Sequence, residues 1–156
     1  MIKLIKQETL SELSQQAAQS PRLRKNLNLH PSDGSRSHRL LNALEPGTYI
    51  QPHCHLDPEK DETMIALSGS FGILIFDASG AVIEQLVMAA GQDNLGITIP
   101  SGVFHSMVAL ESGSVFFESK AGPYVAVAPE EKASWAPAEG EAACSTYLAQ
   151  MRARFQ

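Results

Sequence analysis

Cysteine, basic charge and long apolar runs are all scarce in this chain, and each scarcity closes a line of reading. Only Cys54 and Cys144 are present. They lack CxxC spacing and a secreted context, so free reduced thiols are expected in place of a disulfide framework. Lysine and arginine total 12 against 17 acidic residues, for a net charge of -5 and a pI near 5.5. Without a basic face to neutralise phosphates, nucleic acid is not an expected partner, and the local group Arg22, Arg24 and Lys25 is too small to reverse that. The strongest apolar run, 71–76, is broken at Gly72 and falls far short of the roughly 20 residues of a membrane span. The opening MIKLIKQETLSELS turns polar after Ile5 and has no apolar signal core, so a cytoplasmic protein without membrane contact is expected. No phosphate-binding loop, nucleophile elbow, HExxH helix or GxGxxG turn occurs, which leaves nucleotide hydrolysis and serine-hydrolase chemistry without a foothold.

What is present is an ordinary globular composition, 44% apolar and 19% charged over 156 residues. One domain of this length buries roughly 70% of the surface its unfolded chain exposes. Leu10, Leu13 and Ala17 recur at helical spacing over 6–18, with Pro21 as a stop, so an amphipathic helix is expected there. Pro, Ser, Asn, Asp and Gly dominate 20–37, which reads as an extended arm crossing the surface. From 38 to 120 the period shortens to strands at 39–44, 48–55, 62–67, 71–76, 82–88, 95–99, 104–109 and 115–119. Between most of them lie turn sequences such as EPG, LSGS, DASG and PSG. Eight short strands at this spacing predict a closed or sandwiched all-β domain. Beyond it, 121–140 reads as a loop with Trp135 as an apolar plug, and 141–155 as a final helix. The expected division is therefore 1–37 as helix and arm packed on the barrel, 38–120 as barrel, and 121–156 as loop and helix, all in a single domain.

Five histidines are present, and two of them, His53 and His55, flank Cys54. On a strand, alternate residues share a face, so these two imidazoles point the same way with α-carbons roughly 6.5 to 7 Å apart while Cys54 points away. An ion about 2.0 to 2.1 Å from each ring nitrogen fits between them. Glu62 opens the next strand and supplies a carboxylate; His105, just past a Pro-Ser-Gly turn, is the natural fourth ligand. Taken singly, each histidine is an ordinary hydrogen-bonded residue. Two same-face histidines, an acid and a third histidine in an all-β chain together point to a metal site. Cys54 is not expected as a nucleophile, since alternation turns it from its neighbours.

These stretches resemble the cupin superfamily. Its first motif reads here as Gly47, TYIQP, His53-Cys54-His55, LDPEKD, Glu62, TMIALS, Gly69. The spacer before the glutamate is longer than usual and offers Glu59 as a rival at the standard distance. Glu62 is preferred because it keeps the six-residue step to Gly69 and begins the apolar strand, whereas Asp57 and Glu59 read as solvated loop acids. The second motif, PxGxxH, is Pro100-Ser101-Gly102-Val103-Phe104-His105, with Asn94 and Ala109 departing from the pattern at its periphery. RLRKNLNLHP, RLLNALEPGTYIQPHCH, GPY and WAPAEG are in addition similar to the WbuC-type cupin-fold metalloproteins of bacteria, a family named from a member among surface-polysaccharide genes. The resemblance implies a jelly-roll-like β-barrel with an N-terminal helix and arm and a C-terminal helix, holding one divalent ion (Zn, Fe, Mn, Ni or Co) through His53, His55, Glu62 and His105.

Three hosts for such an ion follow. The first is a metal-dependent enzyme, isomerase- or epimerase-like, on a small oxygen-rich molecule such as a sugar or polysaccharide precursor. The second is a non-catalytic module that captures a small ligand on the metal. The third is an Fe(II) dioxygenase. Arg39, Asn42 and Tyr49, on strands leading into the first motif, are candidate substrate contacts, with ordinary strand polarity or packing as the alternative. His30 and His38 are expected to make surface hydrogen bonds, and Phe104 to face away from His105 into the core. A homodimer that covers a sheet edge is a further expectation, with cover by the helix and arm of the same chain as the alternative.

Overall fold

The computed structural model describes residues 1–156. Helix α1 (Gln7–Gln19) is followed by strands β1 (Arg24–Asn28), β2 (Ser37–Leu44), β3 (Glu62–Ser68), β4 (Ser70–Phe76), β5 (Val82–Ala89), β6 (Gly96–Ile99), β7 (Phe104–Ala109) and β8 (Ser114–Ala121), and then by helix α2 (Cys144–Ala153). The strands form a five-stranded sheet in the order β1-β2-β8-β3-β6 and a three-stranded sheet in the order β5-β4-β7, with every named pairing antiparallel. No helix is long and apolar enough to cross a membrane.

Side-chain alternation along the strands sorts the interior into three layers. Between the sheets lie Met64, Phe71, Ile73, Met88, Met107 and Phe116 among others, with the Phe71 and Phe116 rings edge to face at 5.2 Å. On the outer face of the larger sheet, Leu41, Ala43 and Val115 take up Leu10, Leu13 and Ala17 of α1. Those three helix positions are the ones whose spacing predicts a buried face. On the outer face of the smaller sheet, Leu74, Phe76 and Val108 meet Leu148 and Met151 of α2. Trp135 packs on Phe76 and Phe104 there, as a plug should.

Two expectations need correction. The arm at 20–37 contains β1, a polar edge strand whose residues are almost all exposed; with neither face buried it carries no alternating apolar signal, so composition alone reads as loop. The segment 48–55 is extended without being a regular strand. Its only ladder contacts are isolated bridges from His53 to His105 and to Lys132, because Pro52 lacks an amide hydrogen and interrupts any longer run. Both cysteines are free.

Candidate metal centre

The two motifs meet through the backbone. His53 and His105 exchange both main-chain hydrogen bonds, at 3.1 and 2.9 Å. One turn away, the Gly102 N–H donates to the His55 carbonyl at 2.7 Å and the Ser101 N–H to the Asp61 carboxylate at 2.9 Å. Gly102 adopts φ +80°, the left-handed region that glycine enters without cost, so the turn delivers His105 to the histidine loop. A short 3-10 turn, Pro129–Glu131, closes the other side: the Glu131 carbonyl accepts from Cys54 N–H at 2.8 Å, and the Pro52 carbonyl accepts from Ala133 N–H at 2.9 Å.

His53, His55, Glu62 and His105 thereby converge, with their ligating atoms all within 4.8 Å of one another. Two ligands about 2.1 Å from one ion are at most about 4.2 Å apart, so a small closure completes a sphere. His55, Glu62 and His105 are buried, and His53 is half-buried. The hydrogen bonds settle which nitrogens face inward. His53 Nδ1–H donates to the Gln51 carbonyl and His105 Nδ1–H to the Val103 carbonyl, each at 2.9 Å. In the neutral rings the Nε2 lone pair is then left for the centre. Yet His105 Nε2 lies 2.9 Å from Glu62 Oε2. A neutral ring has one proton to give and here meets two acceptors; a second proton, or a cation between Nε2 and the carboxylate, satisfies the set. The residues fit a divalent ion.

Charge in the centre is shared with residues the motifs do not contain. Glu62 Oε1 receives His55 Nε2 at 2.9 Å and Lys120 Nζ at 2.8 Å. Lys120 also reaches Glu118 Oε1 at 3.1 Å, and Asn42 Nδ2 donates to Glu118 Oε2 at 2.9 Å. Burial opposes ionisation of Glu62, but the facing His105 and His55 rings and the Lys120 ammonium outweigh it and hold the carboxyl well below the usual range. Burial, then proximity to His105, draws His53 down to about 4. Glu118 is pushed up, chiefly by burial. Lys120 is pushed up although burial works against its charge, because Glu118 and Glu62 stabilise it. Glu118 and Lys120 stand two apart in SVFFESKA, so strand alternation puts them on one face. A charged pair inside an otherwise apolar strand is a signal that sequence reading can use.

Of the residues proposed for substrate, Asn42 lines a cavity of about 160 Å³ together with His53, Glu62, His105 and Glu118. Arg39 does not reach it: it is exposed and shares the face of β2 that carries Leu41 and Ala43 under α1. Tyr49 is buried in the α2 layer, its hydroxyl donating to the Pro137 carbonyl at 2.7 Å. Glu59 is exposed, outside the cluster. His30 and His38 are not surface residues, being buried and stacked on each other with centroids 3.9 Å apart.

Two facing antiparallel sheets with three histidines and a glutamate converging between two loop motifs define a cupin-like β-barrel. Solved structures agree on the fold. KdgF from Halomonas sp. is 17% identical with a TM-score of 0.52, covering 68% of this chain and 84% of that one. TT1209 from Thermus thermophilus is 20% identical with a TM-score of 0.54, covering 77% and 97%. Oxalate decarboxylase from Bacillus subtilis is 23% identical with a TM-score of 0.50, covering 66% of this chain but only 26% of its own. No curated protein sequence matches the chain. The model of a domain of unknown function, DUF6016, matches residues 5–88. That is more than half of the chain, which therefore belongs to this family. The match takes in His53, His55 and Glu62 and stops short of His105 and Lys120.

Proposed function

We propose that the protein is a divalent-metal-dependent cupin enzyme acting on a small oxygen-rich substrate, of the kind met in sugar or polysaccharide-precursor metabolism, in keeping with the resemblance to the WbuC-type proteins. The observation that carries the metal is the convergence of His53, His55, Glu62 and His105, whose ligating atoms all lie within 4.8 Å of one another. Bound there, the ion supplies Lewis acidity toward a carbonyl or hydroxyl oxygen, and with iron it supplies access to dioxygen chemistry. The chain's own residues do the rest. Backbone carbonyls of Gln51 and Val103 hold the tautomers of His53 and His105, Lys120 holds one oxygen of Glu62, and the apolar layer under Met64 and Phe116 limits water.

One observation favours a second reading, metal-dependent capture of a ligand without turnover: the Lys120 cation is already committed to Glu62 and Glu118, which removes it as a proton acceptor. The experiment is elemental analysis of protein purified without a histidine tag, followed by turnover of sugars and nucleotide sugars by metal-loaded protein and by a His53→Ala, His105→Ala double variant. One ion per chain with turnover lost in the variant supports the enzyme. Stoichiometric metal with no turnover across the panel supports capture, and absence of metal at every loading removes both.

A further inference from the structure

Register on the concave face of the larger sheet shows what adjoins the cluster. Glu62 pairs with Lys120, and Lys120 with His38. The next row on the same face is Met64, Glu118, Leu40 and Asn28, and the one after it Ala66, Phe116, Asn42 and Asn26. Directly opposed side chains on one face lie about 5 Å apart, so each row is continuous. Read from β3 toward β1, the rows end in imidazole or amide, at His38, Asn28 and Asn26. At the β3 end they are covered by the smaller sheet, whereas Asn26 and Asn28 are exposed.

This polar end forms a groove of about 420 Å³ that meets the inner cavity at Asn42 and Glu118, a size within the range of small-molecule sites. We propose that it binds a neutral sugar ring whose inner edge faces the metal cluster. That reading rests on the oxygen-rich substrate proposed above and narrows it to one class. Three features select the class. The Asn26 amide donates to Asn28 Oδ1 at 2.8 Å, which leaves the Asn26 oxygen and both Asn28 N–H donors for a ligand and so matches vicinal hydroxyls, which give and accept. Lys120 is bound to two carboxylates and Asp33 lies in the same wall, so a ligand carboxylate finds no unpaired cation. Tyr124 stands at the rim, 64% exposed, and is joined to the wall by its N–H bond to the Asp33 carbonyl at 2.7 Å; its ring offers a flat apolar face to sugar C–H groups. Leu40 is the sole aliphatic residue of the lining, so an apolar ligand has little to bury.

His30 belongs to the same wall. Its Nε2 is the one buried side-chain nitrogen or oxygen in the protein without a hydrogen-bond partner, while its Nδ1 lies 3.1 Å from both the N–H and the carbonyl oxygen of Arg39. An unmet buried polar atom in a native fold calls for an explanation. That nitrogen is closed to solvent in the ligand-free fold, so the polar contacts to the ring rest on Asn26, Asn28 and Asn42.

The test is protein-observed NMR titration of the full chain with a panel of common neutral hexoses and deoxyhexoses, with D-glucuronate and cyclohexanol as controls. It is run on metal-stripped protein, on metal-loaded protein and on the His53→Ala, His105→Ala variant. Saturable millimolar binding of at least one neutral sugar is expected in all three, with side-chain amide shifts confined to Asn26, Asn28 and Asn42. Asn28→Leu and Tyr124→Ala, both exposed positions, should weaken it about tenfold while leaving the melting temperature unchanged. Sugar binding in a protein that takes up no metal leaves the groove standing and removes the metal-dependent function. Silence across the neutral panel in every form, equal binding of glucuronate or cyclohexanol, or shifts that bypass the groove each overturn the proposal.

Discussion

Lys120 is the point at which the protein's charge design can be tested most sharply. Its ammonium lies 2.8 Å from Glu62 and 3.1 Å from Glu118, two buried carboxylates placed diagonally on neighbouring strands. Lys120→Met keeps the aliphatic stem and removes the charge, leaving both acids without their cation. Removing one partner of a buried ion pair costs about 3 to 5 kcal/mol. The Lys120 side chain keeps 22% of its surface, which places the expected loss at the low end, about 3 kcal/mol. For a chain of this length each kcal/mol moves the melting point by about 2 to 4 °C, so metal-stripped Lys120→Met should melt about 6 to 12 °C below the parent at neutral pH. Adding Glu118→Gln removes one of the two stranded charges and should recover about 1 kcal/mol or more. A divalent ion bound at Glu62 replaces much of the lost positive charge, so loading should raise the melting point of the variant more than that of the parent. The assay is thermal unfolding by circular dichroism of the single and double variants, stripped and loaded. A stripped Lys120→Met protein within about 0.5 kcal/mol of the parent would refute the reasoning.

Further outcomes follow from the same geometry. His53 is held at about 4 in the fold against about 6.5 unfolded; a depressed pKa contributes stability that is present above about pH 6.5 and lost as pH falls toward 4. Urea midpoints of the stripped protein should therefore drop across that window by an amount equivalent to about 3 kcal/mol, and His53→Gln should flatten the drop. Gly69 sits at φ +68°, and a methyl group on its α-carbon would lie only 2.8 Å from the Ser114 α-carbon, so the position should tolerate no side chain: Gly69→Ala is expected to lose about 2 kcal/mol or more by denaturant titration. Leu13→Ala, which empties the layer between α1 and the larger sheet, should cost about 2 to 5 kcal/mol. Glu139→Gln breaks its contacts with Arg22 and Arg24, but the carboxylate is partly exposed and its loss should stay below about 1 kcal/mol.

Legibility varied by element for identifiable reasons. Helix α1 announces itself because one face alone is buried, and β3, β4, β5, β7 and β8 because apolar runs end in turn residues. Strand β1 is silent because an exposed edge strand places no demand on side-chain type. The segment 48–55 misleads because its residues have strand-like composition while Pro52 limits its ladder to isolated bridges. Arg39, Asn42 and Tyr49 lie close together in sequence, yet alternation and the change of course after Leu44 send them to three different surroundings: the α1 side, the cavity and the α2 layer.

Local spacing by itself determined the donor types, since a histidine pair two residues apart, an acid at the head of a strand and a histidine after a PSG turn are written in short stretches whose backbone preferences are nearly independent of the rest. What only the tertiary structure decided is everything that depends on strand order. The placement of β8 between β2 and β3 brings Lys120 against Glu62 across fifty-eight residues of chain. It also sets the amides of β1 and β2 beside the same cluster. Pairing of distant strands is governed by the summed burial of three apolar layers, a global quantity that no single stretch of residues encodes.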